Sequence, residues 1–206
     1  MALRGSGGEG VRLKGELILA STSPRRRRLL AEAGYRFRSA SPLCEEAGFP
    51  PGADPELSAA RAAEAKAASV ASRLAKGVVI GADTIVVLAG EIIGKPADRA
   101  DARRILGRLS GSTHRVVTGV CVIDAASGRR LSRTVSTEVV LGEMSASEID
   151  RYVESGESDG KAGAYAIQES GDRFVKELRG SLTNVVGLPM EALREMLLEL
   201  KETSNG

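Results

Sequence analysis

Tryptophan is absent from this 206-residue chain, and three Phe and three Tyr are its only other aromatic residues of the large kind. So few rings leave no stacking platform of the sort that single-stranded nucleic acid binders use. The core must instead be built from Val, Leu, Ile and Ala. Histidine occurs once, at His114, and the two cysteines, Cys44 and Cys121, stand far apart in no CxxC spacing. No zinc site follows from these residues alone, and a reduced, cytoplasmic setting fits best. An excess of one charge is also lacking. Twenty-nine basic against 27 acidic residues leave a net +2, too balanced for a protein whose main task is gripping a polyanion, so no stable nucleic acid partner is expected. There is no run of about 18 apolar residues, and the first 15 residues are Gly-rich and polar, so neither a membrane anchor nor a secretory signal is expected.

What is present suffices for a globular domain, since a chain of this length with 42% hydrophobic residues can bury a core of its own. One domain is expected over residues 16–201, between disordered tails at 1–15 and 202–206. Glu16 to Ala20 (ELILA) reads as a buried strand feeding a helix over Pro24 to Ala33. Tyr35 to Ala40 is strand-like, and an Ala-rich helix follows from about Ser58 to Leu74. Val78 to Leu88 is a β-branched strand, and Ala89-Gly90 turns it tightly into Glu91-Ile92-Ile93. Asp98 to Leu109 has helical spacing; Arg115 to Asp124 and Arg130 to Leu141 form an antiparallel hairpin. Ser145 and Glu148 make a capping box for a helix over Ala146 to Ser155, and Pro189 opens a last amphipathic helix. The alternation predicts an α/β fold with a mixed, twisted sheet flanked by helices.

Two segments carry chemistry. In Ser21-Thr22-Ser23-Pro24-Arg25-Arg26, Ser23 is placed as N-cap and Pro24 at the first helical position, directly after a strand. Free N–H groups at such a terminus, with Ser21, Arg25 and Arg26, can cradle a triphosphate. An ordinary capped helix is the alternative, but arginine in a first turn opposes the helix dipole, and an anion would relieve that conflict. Arg27 and Arg28 belong to a solvated face.

The second segment, VVIGADTIVV, sets Asp83 in apolar surroundings, where a carboxylate needs a metal ion or a cationic side chain. Gly81 and Ala82 are read as clearing space beside it. Such a carboxylate can hold Mg2+ or orient water for attack on phosphorus. A strand-end turn residue or a structural ion-pair partner is the alternative. Pro96 restrains the backbone of Lys95, and a fixed ammonium suits a phosphate oxygen. Lys66, in the Ala-rich helix, and Glu45-Glu46 read by themselves as solvated surface.

Six segments, ILASTSPRR, GADTIVV, GEIIGKP, LSGSTHRVVTGV, KAGAYAIQ and VVGLP, stand in that order between Ile18 and Pro189. Together they closely resemble the Maf family of nucleotide pyrophosphatases, over nearly the whole chain outside the tails. The resemblance implies a fold similar to inosine triphosphate pyrophosphatases, with two lobes around a cleft. It implies dependence on Mg2+ or Mn2+, and a nucleoside monophosphate and pyrophosphate as products. Asp83 looks like the catalytic base and a metal ligand, with Glu45 the acidic position that helps bind metal. Ser21, Arg25, Arg26, Lys66 and Lys95 look like the phosphate and active-site contacts. Thr84 and Gln168 resemble the branch acting on dTTP and UTP, including house-cleaning of modified pyrimidine nucleotides; the 7-methyl-GTP branch differs at both places. The Gln168 amide offers a donor and an acceptor, which match the N3–H and O4 of uracil or thymine. Gly160, Ala166 and Glu169 depart from the family pattern, which bears on loop geometry and base preference. A homodimer is suggested by the resemblance and by the general frequency of two-fold assemblies.

The mechanism implied has Asp83 activating a water that attacks the α-phosphorus, while Arg25, Arg26 and Lys95 stabilise departing pyrophosphate. A non-catalytic nucleotide sensor that regulates cell division is the rival from another class. A 7-methyl-GTP pyrophosphatase of the same family is the rival within this one.

Overall fold

Val78 to Leu88 is an unbroken run of small and β-branched residues around one acid, and it forms the strand β3 on which the rest is assembled. The structure is a computed structural model and describes residues 15–44, 48–168 and 170–202. Along one edge β3 pairs antiparallel with β5 (Thr113–Asp124), from Val78 opposite Asp124 to Val87 opposite Arg115. A turn leads from β5 into the antiparallel β6 (Arg130–Leu141), and β7 (Val175–Arg179) closes that side.

The other edge of β3 is shared by two short strands. β1 (Leu17–Leu19) runs parallel to its first part, reaching Leu19 opposite Ile80, and carries β2 (Phe37–Ser39) outside it. β4 (Glu91–Ile93) folds back on its last part, with Ile93 opposite Val86. Ala89 and Gly90 in the connecting turn both take positive φ, as a two-residue hairpin of this twist requires. Among the described residues no strand lies against this edge between Ile80 and Val86. The gap falls at Asp83 and Thr84, the half-buried pair in an otherwise mostly buried strand.

The helices are set by their caps. α1 (Pro24–Glu32) starts at Ser23, whose side chain accepts from Arg26 N–H, as the sequence predicts. α2 (Pro55–Ala71) begins and ends three residues earlier than expected, because Asp54 caps it through Leu57 N–H and Pro55 occupies the first turn. α3 (Arg99–Leu109) is capped by Asp98, and α4 (Ala146–Glu154) carries the expected capping box. α5 (Leu182–Val186) and α6 (Met190–Glu202) end the fold. Glu202 is the last residue of α6, not part of a tail, and the other expected tail residues, 1–14 and 203–206, lie outside the described residues.

Side chains alternate across β3 and β5, and each face divides into two apolar clusters. On one face Val78, Ile80, Ala82, Val120 and Val122 pack with α1 and α6, whereas Val86 and Val116 pack with α3 and α4. Between these clusters sit Thr84 and Thr118, directly opposite each other. On the other face Val79, Cys121 and Ile123 pack with α2, as do Ile85 and Val117 further on, with Asp83 opposite Gly119 between them. The two expected lobes are thus two cores on one sheet, separated by a polar seam.

At two glycines of the sheet α2 comes down to backbone contact. A Cβ added at Gly81 would lie 2.3 Å from the Ala63 carbonyl oxygen, and one at Gly119 would lie 2.2 Å from that of Ala59. The reading of Gly81 as clearing space beside Asp83 is therefore corrected: the backbone of α2 fills that space. The fully buried Ala59, Ala63 and Ala67 recur every fourth residue and form the contact face.

Candidate functional site

A cavity of about 450 Å3 opens at the gap in the β3 edge. The turn after β1 and the start of α1 contribute Ser21, Arg25 and Arg26; α2 contributes Lys66; β3 contributes Asp83 and Thr84. Lys95, after β4, and Gln168, in the turn after a short 3-10 segment at Ala162–Ala164, complete the set. All the described residues given a catalytic or binding role from the sequence line this cavity, while Glu45 lies outside the described residues. Five cationic side chains, the four already named plus Lys161, face two carboxylates, Asp83 and Asp159, so the cavity favours an anion. Lys161 and Asp159 were given no role from sequence. Lys161 Nζ is held by the Glu157 carbonyl, a backbone partner that leaves no mark in a motif.

Lys66, with Glu45, is among the residues that by themselves read as solvated surface. It is only 8% exposed, and its Nζ donates to Asp83 Oδ1 at 2.6 Å. The close seating of α2 on Gly81 and Gly119 brings the lysine to this place, so the expected cationic partner of Asp83 comes from the helix above it. Oδ1 is occupied by that bond, and the carboxylate keeps further lone pairs for other partners.

The Arg26 guanidinium is committed to the frame of the cavity. Nε donates to the Gly187 carbonyl at 2.7 Å, Nη2 to Thr84 Oγ1 at 3.2 Å and Nη1 to Ser21 Oγ at 3.4 Å. It thereby ties α1 to β3 and to the turn between α5 and α6. Thr84 Oγ1 also meets Thr118 Oγ1 at 3.0 Å and the Gly187 carbonyl at 3.5 Å. Thr118 Oγ1 contacts the Asn184 carbonyl at 3.1 Å, and Asn184 Nδ2 donates to Val116 O and Thr137 Oγ1. The Thr84 hydroxyl is thus filled by protein partners. Ser21 Oγ accepts from Ser23 N–H at 3.1 Å and from Arg26, which leaves its hydrogen for an acceptor in the cavity.

The wall carrying Gln168 is irregular and tightly held. Gly163 and Ala164 both have positive φ, and a Cβ on Gly163 would stand 2.9 Å from Val86 Cγ2. Gly163 N–H donates to the Gly94 carbonyl at 3.1 Å, so this wall is tied to the segment bearing Lys95. Below it, His114 Nε2 and the Tyr165 hydroxyl share a hydrogen bond of 2.7 Å. Burial pushes the His114 imidazole down to about 4 and raises the Tyr165 phenol above its usual range, so both are neutral near pH 7.

Among the described residues no three His, Cys, Asp or Glu side chains gather as a metal site. The donor set still suits a hard cation of the Mg2+ kind, which binds through one or two carboxylates and completes its shell with substrate phosphate oxygens and water. Asp83 and Asp159 are the described carboxylates at the cavity. No helix among the described residues is long and apolar enough to cross a membrane.

Comparison with known proteins finds relatives along nearly the whole chain. Residues 16–200 match the family model described as Maf-like protein. The dTTP/UTP pyrophosphatase of Pelotomaculum thermopropionicum is 47% identical over 185 residues, covering 88% of this chain and 95% of its own. That of Anaeromyxobacter dehalogenans is 48% identical over 183 residues, 88% and 92% of the two chains, and that of Dictyoglomus thermophilum 42% over 188 residues, 91% and 97%. A crystal structure of a nucleoside-triphosphatase, dITP/XTP pyrophosphatase, from Mycobacterium abscessus aligns at 14% identity with a TM-score of 0.40, over 63% of this chain and 75% of that one, too loosely to carry an argument.

Proposed function

The chain belongs to the Maf-like protein family, and from that membership together with the cavity's chemistry we propose that it hydrolyses dTTP and UTP to the nucleoside monophosphate and pyrophosphate. Water adds to the α-phosphorus, the bond from that phosphorus to the α,β-bridging oxygen breaks, and pyrophosphate leaves. The observation that carries the reading is the convergence of Asp83 with Arg25, Lys66 and Lys95 at one cavity, an acid facing a cationic rim.

Asp83 takes the proton of the attacking water, and Lys66 holds the carboxylate in place through Oδ1. Ser21 donates its hydroxyl hydrogen to a phosphate oxygen. Arg25 and Lys95 meet the charge that develops on the departing diphosphate, beside the positive end of the α1 dipole. Arg26 supports this rim from behind, and Thr84 keeps Arg26 in place. Gln168 pairs its amide with O4 and N3–H of the pyrimidine. Asp83, with Glu45 and the substrate's phosphates, would hold a divalent cation, Mg2+ or Mn2+, which would supply charge neutralisation.

The test is a nucleotide panel, with and without Mg2+ or Mn2+, in which pyrophosphate release is measured. Release from dTTP and UTP that requires the metal supports the proposal. Tight binding of UTP without product would identify a sensor, and preference for 7-methyl-GTP would move the chain to the other branch of the family.

A further inference from the structure

We infer that His114, which no part of the proposed chemistry uses, is a positioning residue for base recognition: through Tyr165 it sets where the Gln168 wall of the cavity stands. The inference rests on the reading that Gln168 meets the pyrimidine.

The imidazole is an odd occupant of its site. His114 is 2% exposed, lies on β5 opposite Val139 and sits beside an apolar cluster formed by residues such as Val116, Leu141 and Tyr152. A phenylalanine or leucine would pack there without desolvating two polar nitrogens. Among the described residues the imidazole's polar contact is Nε2 with the Tyr165 hydroxyl, and none of them meets Nδ1. The rings also meet edge to face, with centroids 5.5 Å apart.

What that bond restrains is the segment running to Gln168. Tyr165 lines the cavity, and it follows directly on Gly163 and Ala164, whose left-handed backbone holds only if its surroundings dictate it. The next residue is pinned as well, because Ala166 N–H donates to the Tyr152 hydroxyl at 3.1 Å. A Cβ on Gly171 would lie 2.4 Å from the Ala166 carbonyl oxygen, so the returning chain packs backbone to backbone against this segment. Gln168 therefore leaves a wall fixed at two successive residues by two buried phenols, and His114 anchors the first. Because a base-reading amide must be held within about 0.5 Å of its productive position, loosening that anchor acts on base selectivity before it acts on phosphate chemistry.

The experiment compares His114→Phe, Tyr165→Phe and the double variant with Gln168→Ala and the parent, all as the full chain, for UTP and CTP turnover with Mg2+. His114→Phe and Tyr165→Phe are each expected to raise KM for UTP about 5- to 10-fold, with kcat held within about twofold. The UTP over CTP ratio of kcat/KM falls in step, and the double variant is no worse than the worse single one. His114→Gln, whose amide can still meet the phenol, recovers part of the loss. If Gln168→Ala lowers the ratio while Tyr165→Phe, which keeps the ring and its volume, leaves ratio and KM unmoved, the role of His114 is overturned and the reading of Gln168 stands. If Gln168→Ala leaves the ratio unmoved, that reading fails and this inference fails with it. A fall in kcat for both substrates alike would mark the pair as ordinary core and also overturn the inference.

Discussion

Lys66 Nζ sits 2.6 Å from Asp83 Oδ1, although the two residues come from a helix and a strand that meet over two glycines. The ion pair is largely enclosed, with side-chain exposures of 10% and 16%. Neither partner can be removed without leaving the other poorly solvated.

Replacing Asp83 by Asn keeps the shape and a bond to Lys66 but removes the base. On the proposed mechanism kcat falls about 10²- to 10⁴-fold with KM for dTTP within a few-fold. Steady-state pyrophosphate release checks this, and a variant that turns over at the parental rate would remove Asp83 from the mechanism.

Lys66→Met retains the aliphatic stem and deletes the ammonium. Unfolding by urea should show a loss of about 1–3 kcal/mol from the stranded carboxylate. In a double-mutant cycle with Asp83→Ala, which removes the acceptor altogether, the two losses should not add, since one bond is broken by both. Additive losses would mean that the pair contributes nothing as a pair.

Thr84→Val is nearly isosteric and strips Arg26 Nη2 and Thr118 Oγ1 of a common partner. Stability is expected to drop by about 1–3 kcal/mol, with a smaller loss of kcat/KM than Asp83→Asn gives. If the melting temperature is unchanged and only KM rises, the hydroxyl touches substrate instead of holding Arg26.

Gly81→Ala forces a Cβ against Ala63 O and lifts α2 from the sheet, at an expected cost of about 1–3 kcal/mol or more. Lys66 moves with the helix, so activity falls as well. Gly107→Ala, in α3 where a Cβ meets nothing within 4 Å, is the matched control and should stabilise by up to about 1 kcal/mol. Thermal melts of the two variants give the comparison.

His114 makes acid stability predictable in sign. Its imidazole is pushed below the usual 6.5 to about 4, so below pH 6.5 the unfolded chain takes up a proton that the folded one refuses. Stability from this group is complete above pH 6.5 and declines as pH drops towards 4, by about 2 kcal/mol between pH 7 and 5. His114→Phe should remove that portion of the pH dependence of unfolding, and an unchanged pH profile would refute it.

Much of this was legible because the long strands obey simple rules. β3 and β6 have the expected bounds, and β5 starts only two residues early, since β-branched runs end at turn residues. The caps at Ser23 and Ser145 were equally readable. β7 was not, because Val175–Arg179 is largely exposed and charged and shows no apolar alternation. α5 spans five residues, too short for a helical period to register. At the site, motifs gave the strand and loop residues, but the place of Lys66 depends on how a helix docks 17 residues away in sequence. The Gly187 carbonyl that holds Arg26 is main chain, which no residue type announces.

The interrupted edge of β3 has a mechanical consequence. β5 backs the strand continuously from Val78 to Val87, while β1 and β4 grip its two ends in front, so the stretch between them can neither bend inward nor be sealed by its neighbours. The pocket is thus framed by backbone pairing within one sheet, with no hinge in the strand that carries Asp83. Binding then needs little reorganisation of the sheet, and interaction energy that a hinged protein would lose in closing is left for distinguishing one ligand from another.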